Sequence, residues 1–276
     1  MDCPHCAAPE PYELGRRTAL GYRAFRCRAC TRTYNERTGT PFNHLEYPTD
    51  VVLLVVRWRL QYSLSLRNLA TMFLERGIVF THEAAREWEE RFAPLLAERL
   101  RARRRGKAGT RWFVDETYVQ VQGRPCYLYR AIDREGNLVD SMLSERRDMD
   151  ARVPACGCRF FVQAIGVVGH GPAQVTTDGH AACPRAIRET AGEGVEHRCN
   201  QYLNNRLEQD HRGIKGRYRP MRGFGSFASA SRFCRASDEL RDHFRARRTM
   251  GEALPLAEQR RRFVDRLAEL DTLLFA

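Results

Sequence analysis

The apolar residues of this chain change their repeat at one place, and that change constrains the fold more than any other feature. Up to RARRRGKAG (101–109) they recur about every 3.6 residues. Beyond it they alternate. The upstream side predicts three helices: VVLLVVRWRLQY from near Asp50, SLRNLATMFLERG from Ser65 to Gly77, and THEAAREWEERFAPLLAERL after Thr81. In the third, Ala85, Trp88, Phe92 and Leu95 make an apolar stripe, and Pro94 is expected to kink or split it. A helix, a short glycine turn and a second helix is the layout of a helix-turn-helix, so 41–100 is read as an all-α DNA-binding region. The basic, glycine-containing stretch 101–110 is the expected linker to the next domain.

The alternating side opens with RWFVDETYVQV (111–121), CYLYRAID (126–133) and LVDSMLSE (138–145), an antiparallel meander with short turns. In the stretch from Asp150 to Pro172, FFVQAIGVV is open to a helical reading, but VPACGC before it and GHGP after it break any regular amphipathic pattern. Short strands at 173–178 and 195–200 then flank a helical HAACPRAIRETAG. The whole predicts a mixed sheet in an α/β catalytic domain over 111–245, followed by a helical tail at 246–276 whose EQRRRFVDRLAELDTLLF is amphipathic.

The first forty residues obey a different constraint. Cys3 and Cys6, then Cys27 and Cys30, form two C-x-x-C knuckles separated by twenty residues. That spacing predicts a tetrahedral four-thiolate site suited to one structural Zn²⁺, with no open position for catalysis. The segment is too short and polar to build much core, so the metal would supply its folding energy. Arginines 16, 17, 23, 26, 28 and 32 decorate this zinc ribbon and suit contact with a DNA backbone.

Three carboxylates stand where a metal centre would need them. Asp115 lies inside the first strand of the meander, Asp178 ends the fourth strand, and Glu208 lies on a helix opened by Asn204 and Asn205. Glu116, one residue on, faces the other way. A charge inside an apolar strand is costly unless it is paired or holds a metal. Three gathered carboxylates predict two Mg²⁺ or Mn²⁺ ions, the arrangement that serves phosphodiester displacement. On the helix, Glu208, His211, Arg212 and Lys215 share a face at i, i+3, i+4 and i+7, setting cations beside the metal site. With Arg217, and with Arg103, Arg104 and Arg105 of the linker, they are the candidate DNA contacts.

Composition agrees. The 276 residues carry 46 Lys and Arg against 34 Asp and Glu, a formal charge of +12 that favours a polyanionic partner. No apolar run approaches a membrane span, and the polar N-terminus is no secretory signal, so the chain is read as soluble and cytoplasmic.

FVDETYVQVQGRPCYLYRAID, VTTDGH and YLNNRLEQDHRGIKGRYRPMRGF, in that order, resemble the catalytic core of DDE-type bacterial transposases of insertion sequence family six. The similarity extends upstream through GIVFTHEAAREWEERF to the zinc-ribbon start carried by some members. The resemblance implies an RNase H-like fold, an acidic triad at Asp115, Asp178 and Glu208, and a DNA-contacting Lys215. It also implies double-stranded DNA as partner (terminal inverted repeats and target), assembly as a homodimer or larger, and residence on the bacterial nucleoid. Hydrolysis would free a 3′ end, and that 3′-hydroxyl would attack target DNA without a covalent enzyme intermediate. Cys183, where the family has an aromatic residue, and the irregular 150–172 stretch depart from the pattern. They leave a second expectation open: a sequence-specific DNA-binding protein of transposase descent whose catalytic domain is silent.

Overall fold

The computed structural model describes residues 1–146, 155–177, 183–199, 213–218, 221, 223–247, 249 and 251–275. The chain divides into two compact units, Met1–Val55 and Val56–Leu274.

In the first unit, β1 (Tyr12–Arg17), β2 (Arg23–Arg26) and β3 (Thr33–Asn35) form an antiparallel sheet in that order. Its core is small: Phe25 and Tyr34 stack with ring centroids 5.6 Å apart and pack with Cys3 and Cys27. The turn-rich segment after β3 is held by one buried side chain. Arg37 donates to the carbonyls of Phe42 (2.6 Å), Leu45 (2.8 Å) and Tyr47 (3.1 Å), so the guanidinium does the work of a small core.

Helix α1 (Thr49–Gln61) leads into the second unit, followed by α2 (Leu66–Leu74) and α3 (His82–Ala102). Ser65 and Thr81 cap α2 and α3 through their side-chain oxygens, as their residue types predict. An aromatic chain, Trp58 to Phe73 to Phe80 to Trp88, joins the three helices, with successive centroids 5.5, 5.3 and 4.9 Å apart. Helix α3 runs through Pro94 within one continuous range, so of the two expected outcomes, a kink or a split, the split does not occur. Its buried residues lie on both sides of the proline, from Ala85 to Leu100, and packing there outweighs the hydrogen bond that proline removes.

The sheet of the second unit has five strands. Strands β4 (Arg111–Val121), β5 (Arg124–Asp133) and β6 (Leu138–Ser144) form the predicted meander. Strands β7 (Gln174–Thr177) and β8 (Glu196–Cys199) add parallel to β4, giving the order β6-β5-β4-β7-β8. Helix α4 (Ala155–Val168) connects β6 to β7, and α5 (Cys183–Ala191) connects β7 to β8. Helix α4 shows that the FFVQAIGVV part of the irregular 150–172 stretch is helical, while 150–154 lie outside the described residues. Phe160, Phe161, Ala164 and Val168 recur on one helical face and bury against Trp112, Val114, Tyr129 and Val139 of the sheet. Helix α6 (Phe227–His243), capped by Ser226, packs along α3 and β6, and α7 (Leu256–Phe275) closes the described chain. Among the described residues no helix is long and apolar enough to cross a membrane.

The compact units therefore do not divide at 101–110. Arg104, at the heart of that stretch, is 6% exposed. It makes a two-pronged ion pair with Glu239 of α6 at 2.7 Å and donates to the carbonyls of Leu138 (2.6 Å) and Val139 (2.8 Å). The expectation that Arg104 contacts DNA is corrected accordingly: its donors are turned inward and satisfied.

Candidate active site and metal centre

Asp115 sits midway along β4, the central strand, and is half-buried. Alternation along β4 puts Trp112 and Val114 on the face covered by α4 and Asp115 on the other; Glu116 returns to the α4 side, as its position predicts. One oxygen of Asp115 accepts the backbone N–H of Glu116 at 2.8 Å, which fixes the carboxylate close to its own strand. Directly opposite in register is Arg130, only 2% exposed, whose guanidinium pairs with Asp238 of α6 at 3.0 Å. Residues opposite one another on antiparallel strands share a face. Asp115 thus stands beside a buried Arg130–Asp238 pair. Sequence reasoning missed Arg130, although the signal was available: a lone cation inside the apolar CYLYRAID carries the same cost that drew attention to Asp115.

Strand β7 runs parallel to β4 in the register Arg111 to Gln174, Trp112 to Val175, Phe113 to Thr176. Asp178 follows Thr177 directly in sequence but lies outside the described residues, as do Glu208, His211 and Arg212. Thr177 is fully buried, and its hydroxyl is 2.9 Å from Nε2 of His197 on β8. Burial lowers the imidazole's pKa, which favours the neutral ring. Neither residue was singled out in sequence.

The stretch 213–218 is helical and rests against the end of α1: Ser63 donates to the carbonyl of Gly216 at 3.1 Å, and Arg217 donates to the carbonyl of Gln61 at 2.9 Å. Lys215 is half-buried there. Arg217 also donates to the carbonyl of Gly213, so at least two of its donors serve the fold. Arg103 and Arg105 are exposed.

In the first unit the four predicted thiols converge, every sulfur within 4.8 Å of the others. The Cys3–Cys30 and Cys6–Cys27 sulfurs are each 3.6 Å apart. A tetrahedron with metal–sulfur bonds of about 2.3 Å has edges of about 3.8 Å, close to the two short sulfur pairs, so the donor set suits a tetrahedral ion. Both knuckles are the same turn. The fifth residue, Ala7 or Thr31, has positive φ and donates to the first cysteine's carbonyl, while that cysteine's N–H reaches the carbonyl of Ala8 or Arg32 at 3.0 Å. The backbone N–H groups of Cys30 and Ala29 pull the Cys27 thiol down, while its hydrogen-bonded neighbours push the Cys6 thiol up, so the first proton of this pair leaves from Cys27.

A mixed sheet of this order, with a carboxylate at mid-strand and a parallel neighbour ending beside it, fits an RNase H-like domain. The "DDE domain" family DDE_Tnp_IS240 matches residues 109–247. The chain is 33% identical over 180 residues to "Transposase for insertion sequence-like element IS431mec" of Staphylococcus aureus strain Mu50, covering 64% of this chain and 77% of that protein. The figures are the same for "Transposase for insertion sequence element IS257 in transposon Tn4003" of Staphylococcus aureus. A chain in the solved "CryoEM structure of simian T-cell lymphotropic virus intasome in complex with PP2A regulatory subunit B56 gamma" overlaps at a TM-score of 0.35 and 16% identity, over 47% of this chain and 49% of that one. An overlap of that size fixes neither fold nor function. The chain belongs to the DDE transposases of insertion sequence family six, and as such it is an enzyme.

Proposed function

We propose that this transposase binds the terminal inverted repeats of a mobile element, cuts DNA to free its 3′ ends, and joins them to target DNA. The observation that carries the reading is the place of Asp115: mid-strand, half-exposed and beside β7, whose next residue in sequence is Asp178. With Glu208 these are the ligands for two Mg²⁺ or Mn²⁺ ions, which supply the charge that activates a water or 3′-hydroxyl and stabilises the leaving oxygen. The chain's own part is to hold three carboxylates against their mutual repulsion. The cysteine site takes one structural Zn²⁺, helices α1 to α3 act as the helix-turn-helix, and His211, Arg212, Lys215, Arg103 and Arg105 lie along the DNA. The working form is a homodimer or larger assembly on the two element ends.

The regular packing of α4 over Ala155–Val168 supports the enzyme reading over that of a silent catalytic domain. The test is cleavage of DNA carrying the element's own ends, in Mg²⁺, by the parent chain and by Asp115→Asn. Removing a metal-binding charge withdraws several kcal/mol of transition-state stabilisation, so cleavage should fall roughly a thousandfold. Affinity for the ends should stay within about twofold. An Asp115→Asn protein that cuts at the parent rate would refute the assignment.

A further inference from the structure

Two basic runs far apart in sequence, RARRRGK at 101–107 and RARR at 245–248, converge on one open pocket of about 430 Å³. It lies between the end of α3, the β5–β6 turn, the end of α6 and the middle of α7. Its described lining contains seven Arg and Lys side chains against four carboxylates, an excess of three cations. Several of these charges already serve the fold. Arg104 is held by Glu239, Arg262 by Glu252 and Glu258, Arg245 by the Glu135 carbonyl and Asn137, and Arg266 by the His243 carbonyl.

Arg103, Lys107 and Arg247 remain. All three are exposed, and none has a carboxylate or carbonyl partner among the described residues. Three cations gathered at one concave site repel one another and face the negative carbonyl ends of α3 and α6, which offset only part of that charge. A polyanion offsets the rest. Asp115 is not among the residues that line the pocket.

We infer that this pocket is a second anion site, one that takes backbone phosphates of a nucleic acid strand away from the carboxylates. The inference rests on the transposase reading for its choice of ligand. Free phosphate compounds share the chemistry, so the test must tell the two sources apart.

The substitutions are Arg103→Gln, Lys107→Gln and Arg247→Gln together in the full chain. The control is Arg76→Gln, Arg188→Gln and Arg260→Gln, three exposed arginines outside the pocket, with the same loss of charge. Both proteins are titrated with duplex DNA across a salt series. Each lost phosphate contact lowers the slope of log K against log salt by about 0.9, so the pocket variant should lose about 2 to 3 and the control less than 1. Equal slopes in the two variants would overturn the site. Inorganic pyrophosphate is titrated in parallel. If pyrophosphate binds the parent chain and duplex DNA fails to displace it, the nucleic-acid assignment is overturned. End cleavage by the same proteins separates the two readings: a parent chain that cuts ends but shows equal slopes keeps the transposase and loses the pocket.

Discussion

Arg104 shows how far the fate of a single charge depends on what folds around it. In sequence it is one of five cations between 101 and 107, indistinguishable from Arg103 and Arg105, which are exposed. Its side chain is only 7% exposed, and Glu239 opposite is 2% exposed. Burial pushes the Glu239 carboxyl up to about 7, with Arg104 pulling it part of the way back. A carboxyl whose folded pKa lies above its unfolded value near 4.3 binds its proton more tightly in the native state. Its contribution to stability is therefore present at acid pH and lost as pH rises through about 7. Arg104→Met removes the cation and leaves a buried acid, at a cost of about 3–5 kcal/mol. Without Arg104 the carboxyl moves further up, so the deficit relative to the parent should be smaller at pH 5.5, where Glu239 is protonated in both, than at pH 8. Thermal melts at the two values check this, and a deficit that grows toward acid pH would refute it. Asp115, by contrast, was legible because a carboxylate in an apolar strand has few bland explanations. Arg130 was equally conspicuous, but its partner Asp238 lies 108 residues away in sequence, and no spacing rule connects them.

Elements whose cause is local could be read directly: the capped helices α2 and α3, the meander β4 to β6, and the two knuckles. Those decided by tertiary packing could not. Helix α4 contains the glycine of CGC and lacks a clear polar face in sequence, yet the sheet supplies an apolar surface for Phe160, Phe161 and Ala164. Pro94 fails to break α3 for the same reason, since Trp88 and Phe92 on one side and Leu96 and Leu100 on the other are anchored. The cysteine site lies at the other extreme, because a metal held by its four thiols would supply most of the energy of its element. The core around it comprises Cys3, Phe25, Cys27 and Tyr34, with Ala8 and Cys30 at its margin, too little apolar surface to order β1 to β3 unaided. Stripping the metal with a strong chelator should abolish the ordered signals of residues 3–35 in a heteronuclear NMR spectrum and leave those of β4 to β8 in place. Residual order in 3–35 after complete metal removal would show that the sheet stands without it.

At the scale of the whole molecule, the change of hydrophobic repeat near residue 101 marks a change of element type but not a division between bodies. The chain divides instead within α1, at Val55. Periodicity reports which face of an element is apolar; it does not say what covers that face. Here α3 and α6 bury theirs against each other, Ser237 donates to the carbonyl of Leu60 at 2.9 Å, and Arg59 pairs with Glu89 at 2.9 Å while lying over the Phe233 ring. The α-helical region from Val56 and the five-stranded sheet therefore share one core, and a catalytic domain cut at the apparent linker is incomplete. A chain of residues 108–276 lacks Arg104, so Glu239 is left buried without its cation, and α6 loses the packing of α3 along it. Each of those losses amounts to several kcal/mol against a total stability of about 5–15 kcal/mol. A chain of residues 49–276 retains α1 whole along with every contact just named. Followed by circular dichroism on heating, 49–276 should unfold cooperatively and 108–276 should show no cooperative transition. A sharp melt from 108–276 would mean that the sheet domain stands alone and that the shared core contributes far less than its buried charges and apolar faces imply.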